Sequence, residues 1–169
     1  SDASFVVSVN HLKSKGSPCG DGDDSSEQGN CNITRTRAAQ GLAQWLTLEY
    51  PNLPVFIIGD LNSYAQEDPI QALINAGFTD VVRDRHGSQT YTYSFRGQLG
   101  ALDYVMANGA ANDMVVFADE WHINAAEPRV LDYSETLPGS DQGKPAAWLN
   151  ENEFRSSDHD PVVIGIAIE

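Results

Sequence analysis

Apolar residues along this chain follow two different periods. In "VFIIG", residues 55–59, four consecutive large apolar side chains are bounded upstream by Pro51 and Pro54 and downstream by Gly59. Three of the four are β-branched, which predicts a buried parallel strand covered on both faces. "SFVVSV" near the start reads as a second strand. Between them, "NITRTRAAQGLAQWLTLEY" carries apolar positions at Ala38, Leu42, Trp45, Leu46 and Leu48, a helical spacing. "DPIQALINAG" predicts a second helix, with Asp68 as cap, Pro69 at the first helical position and Gly77 closing it. The beginning is therefore β-loop-α-β-α.

Four later runs read as strands, the first three joined by short Gly/Asn turns: "TYTYSF", "ALDYVMAN", "MVVFADEWHI" and, at the C-terminus, "DPVVIGIAI". "VLDYSETLPGSDQGKPAAWLNENEF" is polar, rich in turn residues and without periodicity, so it is expected to be a long surface loop of the kind usually tied to function or disorder. The pattern predicts an α/β (α+β) sandwich. With 169 residues, 41% of them hydrophobic and no shift in composition, one domain with its own core is expected over 1–169.

No stretch approaches the length of a membrane span, and the first residues show neither the charged nor the apolar region of a signal peptide. Ser1-Asp2-Ala3 leads at once into a strand pattern, so the chain reads as beginning inside a domain. The formal net charge of −14 argues against a generic polyanion-binding surface and fits a secreted or salt-adapted protein. Lys13, Lys15, Arg35 and Arg37 nevertheless fall in one short region, and a bound divalent cation would invert the acidic field locally. The two cysteines, Cys19 and Cys31, bracket a Gly/Asp/Ser-rich segment with no apolar residue to anchor it, which predicts a disulfide. Their spacing fits no zinc pattern. "DGDD" within that segment opens like a calcium loop but lacks the glutamate expected at the twelfth position, leaving a solvated acidic loop as the better expectation.

Polar residues collect at the predicted strand ends. His11 follows "VVSVN", Asp60 and Asn62 follow "VFIIG", Asp103 opens "YVMAN", and Asp158-His159 precede "PVVIGIAI". Ligand sites of open α/β sheets lie just beyond such ends. Taken singly, each has an ordinary alternative: a structural histidine, an edge-strand charge, a turn before Pro161. Asp60 is the exception, because Asp68 and Pro69 already start the next helix and leave Asp60 without a structural task. Together, four strand ends bearing a carboxylate or an imidazole are what a metal-assisted phosphoryl-transfer site requires.

"NHLKSKG", "IIGDLN", "LDYV" and "SSDHDP", in this order, resemble the successive motifs of the endonuclease/exonuclease/phosphatase superfamily, which includes pancreatic-type deoxyribonuclease, abasic-site endonucleases, sphingomyelinases and inositol-phosphate phosphatases. "HLKSKGSPC", "GNCNITRTRAA", "GDLNSYAQEDPI", "EWHINAAEP" and "FRSSDHDPVV" are similar, more narrowly, to its secreted bacterial extracellular nuclease branch. The resemblance implies a four-layer α/β/β/α sandwich, two facing sheets with helices outside. It implies that Asp60 orients the attacking water or protonates the leaving oxygen, that Asn62 holds a phosphate oxygen, and that His159, oriented by Asp103, contacts the phosphate. Asp158, with Asp60, would hold Mg²⁺ (or Mn²⁺ or Ca²⁺), His11 would be the other active-site histidine, and Lys13 and Lys15 would meet flanking phosphates.

The family's asparagine and its metal-binding Gln-Glu motif have no counterpart before His11, and Glu27, Glu49 and Glu67 stand in unrelated sequence. The chain is therefore expected to be the C-terminal portion of the domain, inactive alone, with an exposed apolar face that pairs with the absent half or self-associates. Its expected function is that of a secreted or periplasmic metal-dependent nuclease, DNA favoured as the substrate. A phosphatase or sphingomyelinase, and a non-catalytic cation- or partner-binding relic, are the alternatives.

Overall fold

In the computed structural model, which describes residues 4–20, 22–149 and 152–168, the apolar run of residues 55–58 lies inside a mixed sheet. Strand β1 (Val6–Val9) pairs in parallel with β2 (Val55–Asp60), as the two strand patterns and the helix between them require. On its other side β2 pairs antiparallel with β6 (Asp103–Ala107), and β6 carries the two-residue β3 (Thr79–Asp80) beyond it. The buried strand thus has one parallel and one antiparallel neighbour. A separate hairpin-like sheet joins β7 (Val115–Glu120) to β8 (Val162–Ile166), and β4 (Tyr93–Phe95) with β5 (Gln98–Gly100) forms a small hairpin of its own.

Strand alternation divides the core in two. Val55 and Ile57 face helices α1 (Asn32–Glu49) and α2 (Asp68–Asn75), where they meet Ala39, Ala43, Leu46, Ile70 and Leu73. Phe56 and Val105 face the other way, onto Val115 and Ala118 of β7 and Val162, Ile164 and Ile166 of β8. The layers run helices, mixed sheet, second sheet. Two short helices, α3 (Val81–His86) and α4 (Gly109–Met114), link the sheets. Between the layers an apolar cleft of about 450 Å³ opens beside Phe5, Val7, Val9, Ile58, Ile164 and Ile166. β1 and β8 are both edge strands of their sheets.

Several local expectations need correction. α1 buries Asn32, Arg35, Ala39, Ala43 and Leu46, whereas Trp45 and Leu48 are exposed. The small Ala39 and Ala43 let α1 lie close to α2, so at these two positions close packing outweighs hydrophobicity. Asp68 does not cap α2; it is the first helical residue, its carboxylate accepts from the Asn32 amide at 2.8 Å, and Glu67 occupies the cap position. α4 stands where a Gly/Asn turn was expected, and α3 forms in a segment for which no element was predicted; each is started by a side-chain cap, Asp80 onto Arg83 N and Asn108 onto Ala111 N. In β7 a register shift between Val115 and Phe117 turns Val116 and Phe117 to solvent together. The long polar loop, whose residues 150 and 151 lie outside the described set, is organised around the buried Lys144. Its ammonium donates to the carbonyl and carboxylate of Asp132.

The cysteine loop is closed as expected: Cys19 and Cys31 form a disulfide, and no described cysteine is free. Asp21 of the "DGDD" run lies outside the described residues. Asp24 accepts the backbone N–H of both cysteines, and Asp23 accepts from Thr34 N and Oγ1 in the first turn of α1. These hydrogen bonds hold both carboxyls below their usual range. The acidic pair is therefore employed in fastening the loop to the helix.

Candidate active site

Asp60 is the last residue of β2, and its position depends on the glycine before it. Gly59 has φ near +120°, and a Cβ built there would lie 2.1 Å from the Asn10 carbonyl oxygen. Only a glycine lets the exit of β1 run this close. Asn10 N then donates to Ile58 O at 2.8 Å and Leu12 N to Asp60 O at 3.0 Å, which sets His11 beside Asp60. His11 Nε2 is 3.3 Å from Asp60 Oδ2, with the imidazole largely exposed. Asn62, in the left-handed region at φ 48°, folds back over the carboxylate. Its backbone N–H donates to Asp60 Oδ1 at 2.7 Å, and its side-chain amide donates to Asp60 Oδ2 at 3.0 Å and Leu12 O at 3.1 Å. Both amide hydrogens are thus committed to holding Asp60 and the His11 loop.

The β2–β6 register places Asp103 directly across from Asp60. Asp103 Oδ2 is 2.6 Å from Nδ1 of His159, so an ionised Asp103 accepts from an Nδ1–H imidazole and leaves Nε2 free of that bond. The Tyr93 ring covers the imidazole with centroids 4.6 Å apart. Burial alone would lower the His159 pKa, yet the Asp103 hydrogen bond and the charges of Asp103, Asp60 and Asp158 raise it above its ordinary value. Asp60 moves upward too, chiefly because burial disfavours its charge, with the Asp103 carboxylate adding to the shift and the Asn62 N–H opposing it. A carboxyl and an imidazole poised upward in this way can exchange protons with a bound reactant.

Asp60, Asp103 and His159 bring ligand atoms within 4.8 Å of one another. Hard carboxylate oxygens paired in this way suit Mg²⁺ or Mn²⁺, which takes one or two carboxylates and fills its remaining positions from water and phosphate. Two carboxylates opposed across a strand pair repel each other, so a cation held there would relieve that repulsion. Asp158 is exposed and stands outside that trio, although its charge acts on both His159 and Tyr93.

The two lysines differ. Lys13 is exposed and donates to Ser14 O and Ser17 Oγ, both at 3.0 Å. Lys15 is drawn to Glu67 at 2.5 Å and lies over the Tyr64 ring at 4.6 Å, so it ties the His11 loop to the start of α2. Beneath it, the fully buried Arg35 donates to Ser63 Oγ and to the carbonyls of Lys13, Asn30 and Gln28. The basic cluster seen in sequence is in part an internal brace.

Two groups escaped the sequence. Asp160, fully buried, accepts from the backbone N–H of Ile123, Asn124 and Ala125 and lies 3.0 Å from His122 Nδ1. Asn124 in turn donates to His159 O at 2.7 Å. Thr92 is the second, buried between β6 and the 158–160 segment. The doubled aspartate of "SDHDP" was a signal for the first; nothing in "TYTYSF" singled out the second.

No curated protein matches the sequence. Among solved structures, an AP endonuclease from Archaeoglobus fulgidus superposes with a TM-score of 0.59 at 16% identity, over 96% of this chain and 62% of its own. A functionally unknown conserved protein from Enterococcus faecalis V583 gives 0.52 at 19% identity, over 96% of this chain and 50% of its own. The chain thus spans about half to three-fifths of the length of these structures and shares their fold. The sequence profile of the Endonuclease/Exonuclease/phosphatase family matches residues 27–159, a span running from the disulfide loop to His159, and the chain belongs to that family.

Proposed function

We propose that the protein is a divalent-metal-dependent phosphodiester hydrolase, a secreted endonuclease acting on DNA. The observation that carries this reading is the convergence of Asp60, Asp103 and His159 within 4.8 Å, from strand ends far apart in sequence. Family membership supports the hydrolase class, and the AP endonuclease whose fold is shared agrees with a nucleic-acid substrate. The disulfide agrees with an oxidising compartment outside the cytoplasm.

In this reading His159 Nε2 meets a non-bridging phosphate oxygen, while Asp103 fixes the ring's tautomer and offsets its positive charge. Asp60, raised by burial, takes a proton of the attacking water as the water oxygen bonds to phosphorus; the bond to the leaving oxygen breaks, and that oxygen takes up a proton from solvent. Asn62 steadies Asp60, and His11 stands on its open side. A divalent cation held by Asp60 with Asp103 across the strand pair would neutralise charge on the phosphate oxygens, with the exposed Asp158 adding negative charge nearby.

The test is cleavage of plasmid DNA by the full-length protein with Mg²⁺ or Mn²⁺ and with chelator, beside Asp60→Ala. Metal-dependent nicking that falls by about three orders of magnitude or more in the variant, with an unchanged fold by circular dichroism, is expected. Turnover of Asp60→Ala at the parental rate refutes the assignment. Activity confined to phosphomonoesters or sphingomyelin, with none on DNA, refutes the substrate.

A further inference from the structure

We infer that Thr92 is a positioning residue for the Asp103–His159 pair, an inference that rests on the catalytic reading of that pair. Asp103 and His159 stand on different parts of the fold: Asp103 begins β6 of the mixed sheet, and His159 lies in the segment leading into β8 of the second. Their 2.6 Å hydrogen bond is therefore only as well fixed as the distance between those parts. Thr92 bonds to both sides. Its hydroxyl oxygen accepts the backbone N–H of Leu102 at 3.0 Å and of Asp103 at 3.1 Å, while its carbonyl accepts the N–H of Asp160 at 2.7 Å.

The same residue reaches the third member of the trio. Leu102, held by the Thr92 hydroxyl, accepts through its carbonyl from Leu61 N at 2.8 Å, one residue beyond Asp60. Tyr93, next in sequence, covers the His159 ring and makes an isolated bridge to His159. Thr92 is fully buried, so water cannot replace its oxygen without a rearrangement. An aliphatic side chain of the same shape would leave the Leu102 and Asp103 N–H groups without their acceptor, and β6 would be free to settle away from the 158–160 segment.

Misplacements of about 1 Å near a reacting centre cost on the order of a hundredfold in rate. Thr92→Val in the full-length protein is expected to lower kcat by about that factor with KM within about threefold, and Thr92→Ser to restore most of it. In the Asp103→Asn background, Thr92→Val is expected to cost little more, because its effect passes through Asp103. A structural residue unconnected to the pair would instead add its full cost there.

Should Thr92→Val fail to fold, Thr92→Ser against Thr92→Ala isolates the single oxygen, and Ala at the level of Ser overturns the proposal. Independently of turnover, the downfield proton resonance of His159 Nδ1–H is expected to move in Thr92→Val or Thr92→Ala and to return in Thr92→Ser. An unmoved resonance refutes the positioning role even if the protein has no nuclease activity. Absence of parental cleavage beside a moved resonance refutes the proposed function and leaves the positioning intact.

Discussion

Gly59→Ala tests how far the site depends on a close approach of two backbones. The added methyl would begin 2.1 Å from Asn10 O, so the segment after β1 must retreat by about 1 Å to reach an ordinary carbon–oxygen contact. Two hydrogen bonds span that seam, Asn10 N to Ile58 O at 2.8 Å and Leu12 N to Asp60 O at 3.0 Å. Losing or stretching each costs about 0.5–1.5 kcal/mol. A backbone near φ +120° adds roughly 1–3 kcal/mol for any side-chain-bearing residue. A loss of about 2–6 kcal/mol is expected, a large share of a typical domain's stability. The same retreat carries His11 away from Asp60, so surviving folded protein should turn over DNA on the order of a hundredfold more slowly. Urea unfolding followed by circular dichroism measures the first quantity and plasmid nicking the second. A variant within about 0.5 kcal/mol of the parent and with parental kcat would show that β1 and β2 do not need this glycine.

Replacing Cys19 and Cys31 by serine should cost about 3 kcal/mol in the chain-entropy account of a loop of this length, read as a shift in the urea midpoint; an unshifted midpoint contradicts it. Asp103→Asn should leave the fold intact and cut turnover by about 10²–10⁴-fold, because an amide can hold the wrong imidazole tautomer; a pH–rate profile of unchanged height and shape speaks against this. His159 should titrate above its ordinary value of about 6.5. The raised native pKa makes its stabilising contribution complete below about pH 6.5 and lost as pH rises through the native value. NMR titration of His159, with stability against pH for the parent and Asp103→Asn, checks the sign; a native value below 6.5 reverses it.

The central strand was legible because four large apolar residues between prolines and a glycine admit few other conformations. The inner face of α1 was not, since Ala39 and Ala43 are buried for their smallness while Trp45 is exposed. Hydrophobicity ranks these residues in the opposite order. β3, α3 and α4 are too short to establish a period and depend on tertiary packing and on the Asp80 and Asn108 caps. At the candidate site, the side chains that the structure brings together from strand ends were visible as polar residues in the sequence: His11, Asp60, Asn62, Asp103 and His159. Thr92 and Asp160 were not singled out, because they act largely through the backbone groups of distant segments. Lys15 was expected to meet a flanking phosphate, and its partner Glu67, 52 residues away, could not be read from the sequence.

The cross-strand register of Asp60 and Asp103 carries a consequence for engineering. Sheets ordinarily place like charges apart, and this one sets two carboxylates face to face in its central strand pair. The surrounding packing must hold that arrangement against its own repulsion. Asp103 is compensated by its bond to His159, whereas burial opposes the charge of Asp60, so screens for thermal tolerance should return neutralising substitutions at Asp60 early, and those survivors should be among the least active.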